Sequence, residues 1–297
     1  MPVRLWIEAS ARCNFSCVMC PNKDLAESAK GDMEWDIFRR VIDEARGFVF
    51  DLNLHHRGES LLHPQIVPMI RYASSKGMVT KLHTNGSLLK GETIDGIIAA
   101  GLHRLSISFD GFAKEDYEKI RRGADFDEVV AHIQELLRRR RSLGKRLPFV
   151  AIEVIELSAK QVEAEKRKRF IAAFAGTGLD ELVIKKPHNW AGYLKTAYEK
   201  KHYAPCTFLW NALLVLWNGD VSPCSQDFFA TIVLGNVRDQ SLRDIWNGGP
   251  LTQLRRAHLE KRIGEYSACA ACDRPWRDTL FGLPREYLKN LVFKRMP

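Results

Sequence analysis

The sequence predicts an α/β fold in which a parallel sheet or barrel precedes a smaller, cysteine-rich domain. From residue 3 to about residue 187, short β-rich runs alternate with helical patterns, which is typical of βα units. Beyond residue 200 this alternation stops, and four of the seven cysteines follow. We therefore predict two domains, covering residues 1–200 and 201–297.

The first predicted domain alternates strands with helices along its whole length. The strands are expected near Arg4–Ala9, Asp51–His56, Val79–Thr84, Arg104–Phe109, Phe149–Leu157 and Glu181–Lys186. The helices are expected over Glu34–Arg46, Ile66–Lys76, Gly91–Ala100, Phe126–Arg141 and Gln161–Ala175. In the second domain, the apolar run Cys206–Trp217 leads into Asn218-Gly219-Asp220, and this Asn-Gly pair predicts a hairpin turn.

Several predicted strands carry polar residues on one face, although helix-covered parallel strands are usually apolar throughout. The sets recur with a period of two and are Trp6 and Glu8, then Asp51, Asn53 and His55, then Ser106, Ser108 and Asp110. In a barrel such faces would line a wet lumen. Because ligand sites of α/β folds form where the strands end, we expect the functional site at their carboxyl ends.

Basic residues exceed acidic residues by 45 to 36, which gives a formal net charge of +9. The densest basic run, Leu136–Arg146, closes a predicted helix, where cations suit the helix dipole. We interpret it as a solvated helix end rather than a nucleic-acid footprint, because no nucleic-acid motif accompanies it. The positive net charge is compatible with an anionic substrate.

The sequence also bears on compartment and cysteine chemistry. No apolar run approaches the roughly 20 residues that a membrane span requires, and the N-terminus lacks the order of a signal peptide. These features predict a soluble, cytoplasmic protein without a membrane partner.

Seven cysteines cannot all pair as disulfides, and a reducing compartment disfavours such pairing. The thiols are therefore predicted to be metal ligands.

Three of the cysteines lie within eight residues, as Cys13, Cys17 and Cys20 with the spacing C-x3-C-x2-C. Three thiolates can hold three corners of a 4Fe-4S cluster and leave one iron open for another ligand. Structural zinc prefers four ligands. A buried helical stripe would also place these positions together, but the polar residues around them and Pro21 argue against it.

With this loop following a predicted strand, the sequence resembles the radical S-adenosylmethionine (SAM) superfamily. The resemblance implies a partial (β/α)6 barrel, with a 4Fe-4S cluster whose open iron is chelated by the amino and carboxylate groups of SAM. It further implies that an electron from the cluster cleaves SAM to methionine and a 5′-deoxyadenosyl radical. An external reductant such as flavodoxin or ferredoxin would supply that electron.

Further positions match the superfamily as SAM-binding candidates. Gly58 and Glu59 fit its Gly-Gly-Glu segment, which binds the amino group of SAM, while Arg57 departs from it. The resemblance implies that Ser106, Ser108 and Asp110 approach SAM from the fourth strand. It also implies that the segment Tyr117–Phe126 supplies an arginine to the SAM carboxylate, namely Arg121 with Arg122 as its competitor. Met19 stands where relatives often have an aromatic residue.

The remaining cysteines are Cys206, Cys224, Cys269 and Cys272. By their chemistry alone, four thiols suit a second cluster or a zinc ion equally. The surrounding segments resemble the SPASM/twitch extension of radical SAM enzymes; they are Asn218–Cys224, Leu234–Val237, Ser241–Trp246 and Cys269–Cys272. The resemblance implies one auxiliary 4Fe-4S cluster, because enzymes with two auxiliary clusters carry more cysteines.

All seven cysteines are thereby assigned, which leaves no thiol to quench a substrate radical as radical epimerases do. The last four cysteines and Cys20-Pro21-Asn22 resemble the 2-deoxy-scyllo-inosamine dehydrogenases, which oxidise an alcohol by two electrons. We expect a small polyol, aminosugar or nucleotide-linked sugar as substrate, since Cys13 leaves no room before it for a peptide-recognition domain. The alternatives are a redox-neutral lyase, decarboxylase or epimerase, a peptide-modifying enzyme, and a zinc-stabilised scaffold or nucleic-acid-binding protein without catalysis.

Candidates for a general base lie at the ends of the fifth, sixth and second strands. Lys186 and His188 follow the sixth strand, and Trp190 could form an apolar wall beside them. Glu153 and Glu156 face opposite sides of the fifth strand, so that one of them, taken as Glu153, enters the lumen. His55 shares the polar face of the second strand, whereas His56 is expected to point toward the helices.

Overall fold

One sheet of nine strands organises the protein, in the order β6-β5-β4-β3-β2-β1-β7-β8-β9. The computed structural model describes residues 1–158, 163–196 and 202–276, with the backbone of residues 279–280 and 283–284. The strands are β1 Arg4–Ile7, β2 Asp51–Asn53, β3 Val79–Thr84, β4 Arg104–Ser108, β5 Phe149–Ile155, β6 Glu181–Lys185, β7 Ala212–Val215, β8 Asp220–Ser222 and β9 Gly235–Asn236, with a separate short pair β10 Thr279–Leu280 and β11 Leu283–Pro284.

Strands β1 to β6 run parallel, and helices connect them as a partial (β/α)6 barrel. The helices are α1 Trp35–Ala45, α2 Ile66–Ser75, α3 Glu92–Ala99, α4 Lys114–Ile120, α5 Phe126–Ser142, α6 Ala164–Ala172, α7 Phe208–Asn211, α8 Leu242–Asn247, α9 Gly249–Leu259 and α10 Ser267–Ala271. The predicted α/β architecture is thus confirmed. None of the described helices is both long and apolar enough to cross a membrane.

The helices pack on the sheet through apolar faces spaced at the helical period. Helix α1 buries Phe38, Val41 and Ile42 against the outward face of the first strands, where Leu5 and Leu52 are fully buried. The opposite face of the same strands carries the polar residues. This division leaves the inner face of the barrel available for a ligand.

Two details of the predicted elements are corrected by the structure. The sixth helix begins at Ala164 and ends at Ala172, while residues 161 and 162 of its predicted span lie outside the described residues. Helix α4 was not predicted, and it ends at Ile120, directly before Arg121. Its seven residues are too few to reveal helical periodicity in the sequence.

The chain beyond residue 200 adds to the same sheet. Strand β7 pairs parallel to β1, from Arg4 with Ala212 to Ile7 with Val215. The predicted hairpin follows, since β8 pairs antiparallel to β7, and Gly219 takes the positive φ of 91° that the turn requires. The regular alternation of strands and helices therefore ends before residue 200, whereas the sheet continues with strands from beyond that residue.

Candidate active site

A cavity of about 390 Å³ lies at the carboxyl ends of the parallel strands. Side chains from the ends of β2, β3, β4, β5 and β6 line it, together with the loop that follows β1 and residues from beyond position 200. The predicted residues on its wall are Cys13, Cys17, Cys20, His55, Gly58, Glu59, Ser108, Asp110, Arg121, Glu153, Lys186, His188 and Trp190. Distant parts of the sequence thus meet where ligand sites of α/β folds form.

The loop carrying the three cysteines is fixed by hydrogen bonds to neighbouring segments. The Asn22 amide donates to the carbonyls of Ala11 and Arg57, both at 2.9 Å. The backbone N–H groups of Ser16 and Val18 donate to the carbonyls of Arg122 and Ile120. The loop is therefore held between the segment after β2 and the segment after α4.

The three thiols of this loop are shielded from solvent. Burial raises the pKa of Cys13 to about 12 and that of Cys20 to about 11, and it also raises the pKa of Cys17. Without a bound cation, the three thiols would therefore stay protonated at neutral pH. Thiolates in such a setting need metal ions for charge compensation, and this donor set fits three corners of a 4Fe-4S cluster.

Gly58 and Glu59 lie against the cysteine loop. A Cβ on Gly58 would stand 2.4 Å from the carbonyl oxygen of Arg12, so only glycine permits this approach. The buried Glu59 carboxylate accepts from the Thr84 hydroxyl at 2.9 Å and from the Asn85 backbone N–H at 2.6 Å. Both residues therefore lie beside the backbone of the loop that carries the cysteine triplet.

Arg57 has a structural partner that explains its departure from the superfamily pattern. Its guanidinium donates to both carboxylate oxygens of Glu8, at 2.6 and 2.7 Å. Both side chains are buried, and a bidentate pair of this kind fixes geometry as well as charge. The pair holds the backbone before Gly58 in place from the end of β1.

Changing Gly58 to alanine is expected to displace the cysteine loop, because the added Cβ meets backbone atoms that cannot move aside cheaply. Iron bound after anaerobic reconstitution should fall from about eight to about four atoms per chain, and SAM binding should be lost. Gly47→Ala is the matched control, since nothing lies within 4 Å of that Cβ. Full iron content in Gly58→Ala would contradict this account of the loop.

Of the two candidate arginines, Arg121 enters the cavity while Arg122 is exposed. One terminal nitrogen of Arg121 donates to the Asp110 carboxylate at 2.6 Å, and the other lies 4.0 Å from Sγ of Cys17. Although burial opposes the charge, Asp110 and Cys17 raise the pKa of Arg121 above its usual value. Arg121 is thus a fixed cation beside the cysteine triplet.

Ser106 and Ser108 on β4, and Asp110 just beyond its end, differ in whether they reach the cavity. Ser108 and Asp110 line the cavity. Ser106 is fully buried one step deeper in the strand, and Nε of Arg104 lies 3.4 Å from its hydroxyl. The expectation that Ser106 approaches a cofactor therefore finds no support in this geometry.

A pair of histidines and an ion pair form the floor of the cavity. The rings of His55 and His83 stack with centroids 4.1 Å apart. Lys185 donates to Glu153 at 2.5 Å, and Nε2 of His83 lies 3.9 Å from the same carboxylate. Although burial opposes its ionisation, His83 and Lys185 lower the pKa of Glu153 to about 2. Glu153 is therefore ionised and already paired.

The prediction that His56 points toward the helices is wrong. Strand β2 ends at Asn53, so the strict alternation of side chains ends before His56. Its ring lines the cavity and packs 5.7 Å from the Phe228 ring. On the same wall, Trp190 lies 5.1 Å from His188 and 5.4 Å from Phe228. The predicted apolar wall beside His188 thus includes Phe228.

The cavity histidines should make the stability of the protein depend on pH. Burial lowers the pKa of His83 to about 4, and burial with the nearby His83 lowers that of His55 well below its usual value of 6.5. Below about pH 6.5 the histidines of the unfolded chain therefore bind protons that the same histidines in the folded chain do not bind. As a result, the free energy of unfolding should fall as the pH is lowered from 7.5.

This dependence can be measured as thermal unfolding of the cluster-loaded protein between pH 7.5 and pH 5. The double variant His55→Gln and His83→Gln should lose less of its melting temperature over that range than the original chain. His202→Gln serves as the control, since His202 is exposed. Identical pH profiles for the double variant and the original chain would contradict the assignment.

The other four cysteines surround a second, smaller cavity. Cys206, Cys224, Cys269 and Cys272 line it, and most of the rest of its wall is apolar. Burial raises the pKa of Cys224 to about 12 and that of Cys272 to about 11. The Cys224 and Cys272 thiols therefore require bound metal to become thiolates, and the four cysteines together can complete the ligand set of a second cluster.

The cysteine groups of the described residues are not arranged as closed sites for a single metal ion. In residues 1–158, 163–196 and 202–276, no three histidine, cysteine or acidic side chains converge closely enough to hold one metal ion. A cubane has iron at separate corners, so its thiolate ligands stand farther apart than those of a single tetrahedral zinc.

Several residues on the cavity wall were not singled out from the sequence. His83 and Lys185 belong to the inward faces of β3 and β6, and the period-two pattern that identified His55 could have identified them. Gln226 and Arg274 also line the cavity, but they come from loops outside the barrel. Loop residues carry no periodic signal from which their position could have been inferred.

The barrel, the open cysteine triplet and the second cysteine group define a radical SAM enzyme with an auxiliary cluster domain. The radical SAM superfamily matches residues 7–150, and SPASM, an iron-sulfur cluster-binding domain, matches residues 206–273. The chain therefore carries a radical SAM domain and a SPASM domain. Its cofactors are SAM, the 4Fe-4S cluster that binds SAM, and auxiliary iron-sulfur clusters in the SPASM domain.

Relatives of known activity cover nearly the whole chain. The "tungsten-containing aldehyde ferredoxin oxidoreductase cofactor-modifying protein" of Pyrococcus furiosus is 26% identical over 91% of this chain and 88% of its own length. The "S-adenosyl-L-methionine-dependent 2-deoxy-scyllo-inosamine dehydrogenase" of Niallia circulans is 20% identical over 90% of this chain and 91% of its own length. The crystal structure of BtrN in complex with AdoMet and 2-DOIA shares the fold, with a TM-score of 0.63, 17% identity and coverage of 92% and 93% of the two chains.

Proposed function

We propose that this radical SAM enzyme oxidises an alcohol of a small polar substrate by two electrons to a carbonyl. The observation that carries the proposal is a shared wall between the two cavities. Gln226 and Arg274 line both the large cavity and the cavity of the last four cysteines. Because one layer of side chains separates them, an electron could pass directly from a substrate radical to an auxiliary cluster.

The proposed cofactor assignment follows from the two cysteine groups. Cys13, Cys17 and Cys20 would hold the cluster that binds SAM, and Cys206, Cys224, Cys269 and Cys272 would hold one auxiliary 4Fe-4S cluster. Around SAM, we assign Gly58, Glu59, Ser108, Asp110 and Arg121 as binding residues, with Ser106 in a supporting position. The proposed first domain ends at residue 200, and the proposed auxiliary cluster domain begins at residue 201.

The reaction balances as one hydrogen atom, one electron and one proton. When bound, SAM and its cluster supply the 5′-deoxyadenosyl radical, and the auxiliary cluster supplies an electron acceptor. The carbinol carbon would lose a hydrogen atom to that radical. The carbonyl then forms as the second electron leaves and the hydroxyl proton passes to a base. An external reductant such as flavodoxin or ferredoxin would restore the SAM cluster.

Among the candidate bases, His55 is best placed to accept the proton. Its Nδ1 is buried without a hydrogen-bond partner among the described residues, and its lowered pKa leaves the ring neutral. Glu153 accepts a hydrogen bond from Lys185 at 2.5 Å, so we assign it the role of orienting side chains on the cavity floor. Lys186 and His188 stand on the wall near β6, where they could bind substrate hydroxyl groups.

The shape of the cavity suits a small ring. Its apolar sides include Trp190 and Phe228, and aromatic faces of this kind pack on the C–H face of a sugar or cyclitol. Histidine and lysine side chains on the floor and wall would bind its hydroxyl groups. A polyol, aminosugar or nucleotide-linked sugar therefore remains the proposed substrate class.

The test uses reconstituted enzyme with SAM, a chemical reductant and a panel of polyols, aminosugars and nucleotide-linked sugars. The proposal predicts substrate-dependent 5′-deoxyadenosine and a product two hydrogens lighter than its substrate. Deuterium at the oxidised carbon should appear in 5′-deoxyadenosine. A product of unchanged oxidation level would contradict oxidation and favour a redox-neutral lyase, decarboxylase or epimerase, while modification of a peptide would contradict the substrate class.

A further inference from the structure

One buried histidine beside the auxiliary cysteines has no role in the proposed reaction. His258 lies near the end of helix α9, is only 1% exposed, and lines the cavity of the four cysteines. Its Nε2 atom is buried and has no hydrogen-bond partner within the described part of the chain. An unpaired buried polar atom is costly, so this nitrogen calls for a partner.

The other ring nitrogen determines where the proton lies. The backbone N–H of Cys206 donates to Nδ1 of His258 at 3.3 Å, so Nδ1 must present a lone pair. The Tyr203 hydroxyl donates to the His258 carbonyl oxygen at 2.6 Å, which fixes the end of the helix. The neutral ring therefore carries its hydrogen on Nε2.

The wall of this cavity carries acceptor oxygens on Gln226 and Asp227, but neither forms a hydrogen bond with Nε2 of His258. Besides the cysteines, its wall includes the apolar side chains of Leu209, Pro223 and Ile232. A cluster bound by the four thiols would place sulfur atoms in this space. Sulfurs of an iron-sulfur cluster accept hydrogen bonds, and those bonds are among the features that set its potential.

We propose that His258 donates a hydrogen bond from Nε2 to a sulfur of the auxiliary cluster and thereby raises its reduction potential. Reduction adds negative charge to the cluster, and a fixed N–H donor stabilises the reduced form more than the oxidised form. His258 is thus a positioning residue for the electron acceptor, not a ligand, because a nitrogen that carries hydrogen has no lone pair to give to iron. This inference does not depend on which substrate is oxidised.

The test is an anaerobic redox titration of both clusters, followed by electron paramagnetic resonance, in the holoenzyme and two variants. His258→Leu removes the donor, and His258→Gln retains an N–H donor of similar reach. A Cys13→Ala, Cys17→Ala, Cys20→Ala background, which lacks the first cluster, assigns the auxiliary signal. His258→Leu should make reduction of the auxiliary cluster about tenfold less favourable, a shift of about 59 mV to more negative potential, while the SAM cluster keeps its potential.

Restoration of the potential in His258→Gln would support a hydrogen bond rather than a packing effect. An unchanged auxiliary potential in His258→Leu would overturn the proposal. If His258→Leu fails to retain its auxiliary cluster, electron-nuclear double resonance on the original protein decides. An exchangeable proton coupled to the reduced auxiliary cluster supports the donor role, and its absence, or a nitrogen coupling of the size of a direct iron ligand, overturns it.

Discussion

Replacing Cys13, Cys17 and Cys20 together with alanine is expected to abolish SAM cleavage. The reason is that these three cysteines line the large cavity together with Glu59 and Arg121, and supply all the protein ligands of the proposed first cluster. Iron should fall from about eight to about four atoms per chain. Formation of 5′-deoxyadenosine should drop below detection, a loss of at least about 1,000-fold, as expected when the reactive cofactor is removed rather than perturbed.

The matched control lies in the same loop. The Ser16 side chain is exposed, and its backbone N–H, which alanine keeps, donates to the Arg122 carbonyl. Ser16→Ala should therefore keep full iron content and SAM cleavage. Continued 5′-deoxyadenosine production by the triple alanine variant would show that the open cluster is held elsewhere.

Replacing Cys224 and Cys272 together with alanine is expected to separate SAM cleavage from substrate oxidation. Half of the thiols of the second cavity are then lost, so the auxiliary cluster should not assemble. The large cavity and the first cysteine group remain, and 5′-deoxyadenosine should still form when substrate is present. Oxidised product should fall by at least about 100-fold, because the substrate radical has lost its electron acceptor.

The control for this variant is Thr252→Ala on the exposed side of α9. It should retain about eight irons per chain and normal product formation. If the Cys224→Ala, Cys272→Ala variant still oxidises its substrate, the auxiliary cluster is not the electron acceptor. The proposed reaction would then need another route for the second electron.

The barrel could be predicted because its signals are local. Strand β3 was predicted with its observed bounds, Val79–Thr84, and the cysteine triplet was recognisable from its spacing together with its position after a predicted strand. Arg121 was also favoured over Arg122, which is exposed. In each case the chemistry and the position are encoded within a dozen consecutive residues.

The remaining features depend on contacts between distant residues. The Arg57–Glu8 pair joins residues 49 positions apart, and no periodicity reveals it. His56 was misplaced because β2 ends at Asn53, which only the three-dimensional path of the chain determines. Likewise, β7 reads as the start of a new domain in sequence, yet it extends the first sheet beside β1.

The most direct test of this account is the iron, acid-labile sulfide and zinc content of protein purified and reconstituted without oxygen. Two 4Fe-4S clusters predict about eight irons and eight sulfides per chain, with no zinc. About four irons with one zinc would contradict the account, because the electron acceptor required for alcohol oxidation would be missing.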